Sequence, residues 1–278
     1  MKPIKNNIKT GRGDSGFTLM QIAAVLVIIG LIIGGVLVGQ TLLRQSQIAS
    51  IMVDVKQYID ATARFQEKYN ALPGDMPNAT SYWGAATGNN TDNWTATCYG
   101  AVAGTGTQTC NGNGDGHIGS VSYNTVMNEI YLYWKHLANA GLIPGHYTGI
   151  AWSVVSGYEI YPGVDCPASR VPGGGYTVAW LGNYGGSSLL YAANYGNFIS
   201  FGAAASGNPT WGNILTTAEA QAFDSKYDDG MPSTGAILSE KPYAVSPLIN
   251  NCATSATPPL YNTGLSGIQC DLMFITGF

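Results

Sequence analysis

Charge is what this chain has least of. Asp, Glu, Lys and Arg together make up 10% of its 278 residues, and histidine occurs three times, at His117, His136 and His146. So few titratable groups leave little material for acid–base or metal chemistry. No His-Glu-x-x-His pair, Gly-x-Ser-x-Gly elbow or phosphate loop is present, which removes the zinc-protease, serine-hydrolase and nucleotide-binding motifs. The five cysteines, Cys98, Cys110, Cys166, Cys252 and Cys270, include no Cys-x-x-Cys pair. Zinc ribbons and thioredoxin-type redox motifs are excluded with it.

What the chain does have is one long apolar run near its start. From Phe17 to Val38, 22 residues carry no formal charge and are interrupted only by Thr18, Gln21, Gly30, Gly34 and Gly35. A helix of that length rises about 33 Å, enough to cross a bilayer core. Before it stand Lys2, Lys5, Lys9 and Arg12 against the single acid Asp14, a basic excess that keeps the N-terminus cytoplasmic. A secretory signal is cut after its apolar core. Here the small residues, Asp14-Ser15-Gly16, precede that core, so a cut among them keeps the anchor.

The string Gly16-Phe17-Thr18-Leu19 followed by the apolar run resembles the prepilin signature of type IV pilins and type II secretion pseudopilins. The resemblance implies that a membrane peptidase cuts between Gly16 and Phe17 and methylates Phe17, and that the apolar helix becomes the core of a filament. It also implies as partners other pilin or pseudopilin subunits and an inner-membrane assembly platform. The family carries Glu at the fifth mature position, where this chain has Gln21. Carboxylates are costly in lipid unless they meet a partner. The family's Glu is taken to meet the amino terminus of a neighbouring subunit; Gln21 can hydrogen-bond that amine but not neutralise it. A minor or tip subunit and an ordinary subunit with a tolerated substitution both fit.

Removing residues 1–16 takes away four cations and one acid and leaves eight against fifteen, a net charge of −7 with histidine neutral. Nucleic acid is not expected as a partner, because phosphate binding needs Lys/Arg patches. In an oxidising periplasm the cysteines are expected to form structural disulfides. Proximity favours Cys98 with Cys110 and Cys252 with Cys270, leaving Cys166 over, although five cysteines with one spare allow fifteen arrangements.

The expected fold is α+β: one long helix, transmembrane over about 17–38, laid on an antiparallel sheet head with insertions, as the pilin resemblance also implies. The domains are then a leader at 1–16, the helix at 17–72, and a periplasmic or extracellular head at 73–278. Ile48, Met52, Val55, Ile59, Thr62, Phe65 and Tyr69 form an apolar stripe of helical period, and Leu72-Pro73-Gly74-Asp75 stops it. Together with the apolar run this makes a rod of roughly 80 Å. A second helix is expected at 124–140, and a third, short one within 216–230 with a Thr216/Glu219 capping box and Gly230 as its stop. Strands are expected at 176–182, 188–194 and 197–203, with further ones around Ala236-Ile237-Leu238 and Leu272-Met273-Phe274-Ile275.

The best candidate for chemistry is "NGNGDGHIGS", residues 111–120. Asn111, Asn113 and Asp115 alternate as in the first half of a calcium loop, with Gly116 at the sharp turn. An EF-hand would place Glu at its twelfth position, which here is Ser122; Glu129 can serve only if the fold brings it back. Calcium is thus a candidate ligand, though filament assembly requires no cofactor. Asp224, Asp228 and Asp229 form a second acidic cluster, and Asp75 with Asp115 a carboxylate pair only through tertiary folding. His136 is expected to sit at the surface of the second helix. Three functional classes follow: a filament subunit first; an adhesin using Trp83, Trp94, Tyr99, Trp152, Trp180, Tyr184, Tyr191, Tyr195 and Trp211 second; and a membrane-anchored periplasmic hydrolase last.

Overall fold

No proline interrupts the chain between Leu19 and Tyr69, and α1 (Leu19–Tyr69) runs through all 51 residues. The computed structural model describes residues 19–86, 106–119, 128–149, 160–205, 208–245 and 248–278. Gly16, Phe17, Cys98, Trp94, Tyr99, Ser122 and Trp152 lie outside them. The chain divides into two units at Ser46/Gln47, so α1 contributes to both.

In the first unit, none of Leu19–Ser46 is buried. Among the described residues α1 is the one helix long and apolar enough to cross a membrane.

In the second unit the remainder of α1 backs an α+β head. Its buried face is Ser50, Ile51, Val55, Tyr58, Ala61, Thr62 and Phe65. The expected stripe is thus turned slightly: Ile48, Met52, Ile59 and Tyr69 are half-buried at its margin. Tyr58 explains the turn, because its ring meets Trp134 edge-on at 4.8 Å and Tyr176 at 5.2 Å. Thr62 hydrogen-bonds Tyr133, and Tyr176 Oη donates to Asp54 Oδ2 at 2.8 Å. Each fully buried aromatic of this kind stabilises by about 1.5–3 kcal/mol. The helix stops where expected, with Asn70 at φ 51°.

After α1 come a single turn, α2 (Thr80–Trp83), and α3 (Asn128–Asn139). The hairpin β1 (Gly174–Tyr184) and β2 (Ala193–Ala205) follows, then β3 (Asn208–Gly212), β4 (Leu215–Thr216), α4 (Thr217–Tyr227) and β5 (Ile237–Leu238). The chain closes with β6 (Tyr243–Val245), β7 (Leu248–Asn250), β8 (Ile268–Cys270) and β9 (Leu272–Ile275). The main sheet is antiparallel in the order β1-β2-β9-β5, with β3 also on β2. In-register residues share a face, so Tyr176, Val178, Ile199, Phe201, Leu272 and Phe274 lie together. Onto that face Tyr58 of α1 packs at Tyr176 and Phe223 of α4 at Phe274.

Residues 188–194 are a correction to the strand expectation. They belong mostly to the connection between β1 and β2, which pair directly. Ser187 Oγ accepts the N–H groups of Leu189 and Leu190, and Ser187 N–H donates to Leu190 O. A side-chain hydroxyl thus supplies the turn with partners a sheet would otherwise provide. The Thr216/Glu219 capping box of α4 is formed.

Candidate functional site

The loop 111–119 crosses directly over the turn that ends α1. Gly112 is required there, because a Cβ on it would approach the backbone of Asp75 to 2.4 Å. Gly74 is pressed equally close to α3: a Cβ would lie 2.5 Å from the carbonyl oxygen of Glu129, and its φ is +87°. With side chains absent at both points, two carboxylates reach the loop's backbone.

Asp75 accepts from the N–H groups of Gly114 and Asp115 on Oδ1, at 2.5 and 3.1 Å, and from Gly116 on Oδ2 at 2.8 Å. Glu129 accepts from Asn113 on Oε1 at 2.9 Å and from Gly119 on Oε2 at 2.8 Å. Two acids remote in sequence therefore hold five amides of one loop. Charge-assisted bonds of this type are about twice as strong as neutral ones. Burial pushes Glu129 up to about 7 against the pull of those amides. Asp75 is raised too, again chiefly by burial.

The three residues expected as calcium ligands are divided by this arrangement. Asn111 Oδ1 accepts the N–H of Thr80 at 2.9 Å. Asn113 and Asp115 are together: Asn113 Nδ2 donates to Asp115 Oδ2 at 2.9 Å, and Asp115 N–H donates to Asn113 Oδ1 at 3.0 Å. Asp115 Oδ1 also accepts the N–H of His117, whose ring stacks on Trp180 at 4.0 Å. The fold does return Glu129 to the loop, where both its oxygens engage amides.

His136 is not at the surface but fully buried. Its Nδ1 accepts the N–H of Gly74 at 2.9 Å, and Nε2 lies 2.9 Å from Thr109 Oγ1 and 3.3 Å from Cys110 O. Burial holds its pKa down at about 3, so the ring is a neutral clamp between the α1 stop and the 106–119 segment. Sequence position gave no signal of this, since its partners are separated from it by 62 and 27 residues.

In the second acidic cluster, ligand-type oxygens of Asp224, Asp228 and Asp229 lie within 4.8 Å of one another. Each acid is nevertheless supplied with donors. Asp224 takes Tyr261 Oη at 2.8 Å and Gly230 N–H at 3.3 Å. Asp228 takes Ala236 and Ile237, and Asp229 takes Met231 N–H and Thr234 Oγ1. The cluster organises the turn after α4, and burial pushes Asp224 up to about 6.

Cys252 and Cys270 are disulfide-bonded, and Cys110 is oxidised as well; its expected partner, Cys98, lies outside the described residues. Cys166 is a buried free thiol raised well above its ordinary range, chiefly by burial. Of the rings considered for stacking, Tyr195 and Trp211 are buried and Trp83, Trp180, Tyr184 and Tyr191 half-buried. Gln21 is exposed on the first unit's part of α1. No family model, curated protein or solved structure matches the chain.

Proposed function

We propose that the chain is a structural subunit, a prepilin, of a type IV pilus or type II secretion pseudopilus. It is cut after Gly16, held in the bacterial inner membrane by α1 with its N-terminus cytoplasmic, and then drawn through that helix into a periplasmic pseudopilus or an extracellular pilus. The observation that supports this reading best is the two-part surface of α1. Leu26, Leu31 and Leu37 are 63, 71 and 59% exposed, whereas from Ser50 onward the same helix buries a face in the head.

A helix meant only to support the head would begin near Gln47. Apolar side chains on all sides suit lipid first and neighbouring copies of the same kind of helix afterwards. The partners are other pilin-like subunits, a prepilin peptidase, an assembly platform, and the membrane before assembly. Polymerisation draws on a separate ATPase, as the family resemblance implies, and needs no cofactor in this chain.

Gln21 favours a minor position at the filament end, where no subunit above presents an amino terminus to neutralise. Labelling filaments with an antibody to the head tests this, with wild-type and Gln21→Glu chains carrying different tags. Wild type at one end only is the expected result. Incorporation of both chains along the whole shaft would end the tip assignment, and absence from filaments and pseudopili would end the subunit assignment.

A further inference from the structure

The chain contains two Asn-Gly steps, Asn111-Gly112 and Asn113-Gly114, both in the loop that crosses the end of α1. Such a step is open to a reaction of its own. The glycine nitrogen attacks the asparagine side-chain carbonyl, because no Cβ hinders closure of the five-membered ring. The fold treats the two steps differently. Asn111 is half-buried, its Oδ1 accepts the N–H of Thr80 at 2.9 Å, and the N–H of Gly112 donates to the neutral carbonyl of Met76 at 2.9 Å. With Gly112 wedged against the backbone of Asp75, neither reacting atom is free to shift toward the other.

Asn113 and Gly114 are both exposed, and the polar atoms that the reaction uses each have a suitable partner. The N–H of Gly114 donates to Asp75 Oδ1 at 2.5 Å. The attacking nitrogen therefore faces a carboxylate, which can take its proton, where Gly112 faces a carbonyl, which cannot. Asn113 Oδ1, on which negative charge develops, accepts the N–H of Asp115 at 3.0 Å. A backbone donor already aimed at a developing oxyanion lowers a barrier of this kind. Asn113 Nδ2, the leaving nitrogen, donates to Asp115 Oδ2 at 2.9 Å, which fixes the orientation of the amide.

We propose that Asn113-Gly114 is a self-modification site at which Asp75 serves as the base. The amide proton of Gly114 passes to Asp75 Oδ1 as the nitrogen bonds to Asn113 Cγ. The bond from Cγ to Nδ2 breaks, and Nδ2 takes up a proton in exchange and leaves as ammonia. Water then opens the cyclic imide at either carbonyl, giving aspartate or isoaspartate at position 113; the sum is hydrolysis of one side-chain amide, with no change of oxidation state. Isoaspartate adds a methylene to the main chain between the Asn113 N–H held by Glu129 and the Gly114 N–H held by Asp75. The two anchors cannot then both keep their spacing, so conversion acts as a slow timer on the loop's attachment to α3 and to the end of α1.

The test follows the freshly made full chain in detergent at neutral pH, in native buffer and in urea, by peptide mapping with mass spectrometry that separates asparagine, aspartate and isoaspartate. In the folded chain, conversion is expected at Asn113 and not at Asn111. It should also run faster than at Asn113 in urea, where the two steps should react alike. Asp75→Asn should slow Asn113 in the folded chain by about tenfold, a modest share of the roughly 10²–10⁴ that a positioned base can supply, and should change nothing in urea. Native mobility on a non-reducing gel checks that this variant folds; if it does not, the wild-type comparison of native buffer with urea decides alone. The proposal is overturned if Asn113 reacts no faster folded than in urea, if Asn111 keeps pace with it in the folded chain, or if folded Asp75→Asn reacts as fast as wild type. Since filament assembly is not measured, the outcome is independent of the subunit assignment.

Discussion

The backbone N–H of Gly74 donates to Nδ1 of His136 at 2.9 Å, joining the end of the long helix to α3. A ring that accepts on Nδ1 and is fully buried must be neutral. The unfolded ring takes up a proton near its ordinary pKa of 6.5, while the native one resists until about 3. This depressed value means the unfolded state binds more protons across that window, so the residue's contribution is full above pH 6.5 and is lost as pH falls toward 3. In His136→Gln, whose amide can accept from Gly74 without titrating, the decline of the urea midpoint between pH 6.5 and 4 is expected to be shallower than in wild type.

Glu129 works in the opposite direction. Its native pKa is raised to about 7 from 4.5, so its contribution is full below pH 4.5 and is lost as pH rises through 7. Glu129→Gln should remove that slope. It should also cost about 1–3 kcal/mol at neutral pH, because one of the two loop amides loses its acceptor. Urea unfolding at pH 4.5 and pH 8 separates the two effects: the gap between variant and wild type is expected to narrow at the higher pH.

The bond between Cys252 and Cys270 closes a segment with a sequence separation of 18 residues. Restricting the unfolded chain over a loop of that size is worth about 3 kcal/mol. A Cys252→Ala/Cys270→Ala double variant should lose roughly that much, read from the denaturant midpoint. Loss of less than about 1 kcal/mol would mean that the surrounding strands hold the segment without it.

Ile29 lies on the part of α1 with no buried residues and is itself 45% exposed. Placing Arg near the centre of a membrane helix costs about 2.5–3.5 kcal/mol. Ile29→Arg should therefore reduce the membrane-bound fraction on cell fractionation, while the head still forms its Cys252–Cys270 bond. Unchanged fractionation would argue against this segment as the anchor.

Where neighbours in sequence are neighbours in space, the residues themselves announced the structure. The helix stop at Leu72–Asp75, the Thr216/Glu219 capping box, the segments that became β5 and β9, and the nearness of Cys252 to Cys270 are all of this kind. The stripe on α1 could be read for its period but not for its exact centre, which depends on Trp134 and Tyr176 closing on Tyr58. The 188–194 segment shows the limit of β-propensity, since the hydroxyl of Ser187 turned a strand-like composition into a connection.

The polar interior was hardest to foresee. "LPGD" and "NGNGDGHIG" are both visible as turns, yet that Asp75 of the first holds Gly114, Asp115 and Gly116 of the second depends on contacts across about forty residues. Glu240, Asn250 and Asp271 carry no local pattern at all and meet only when the strands pair. His136 lies within an apolar helix pattern, and its burial follows from Gly74 and Thr109 arriving from elsewhere.

Mass spectrometry of the mature N-terminus in membranes of the native host tests the central claim most directly, because the long helix can serve both as anchor and as filament spine only if it survives processing. The expected species begins at a methylated Phe17. A protein that retains Met1, or one that has lost everything through Val38, would contradict it.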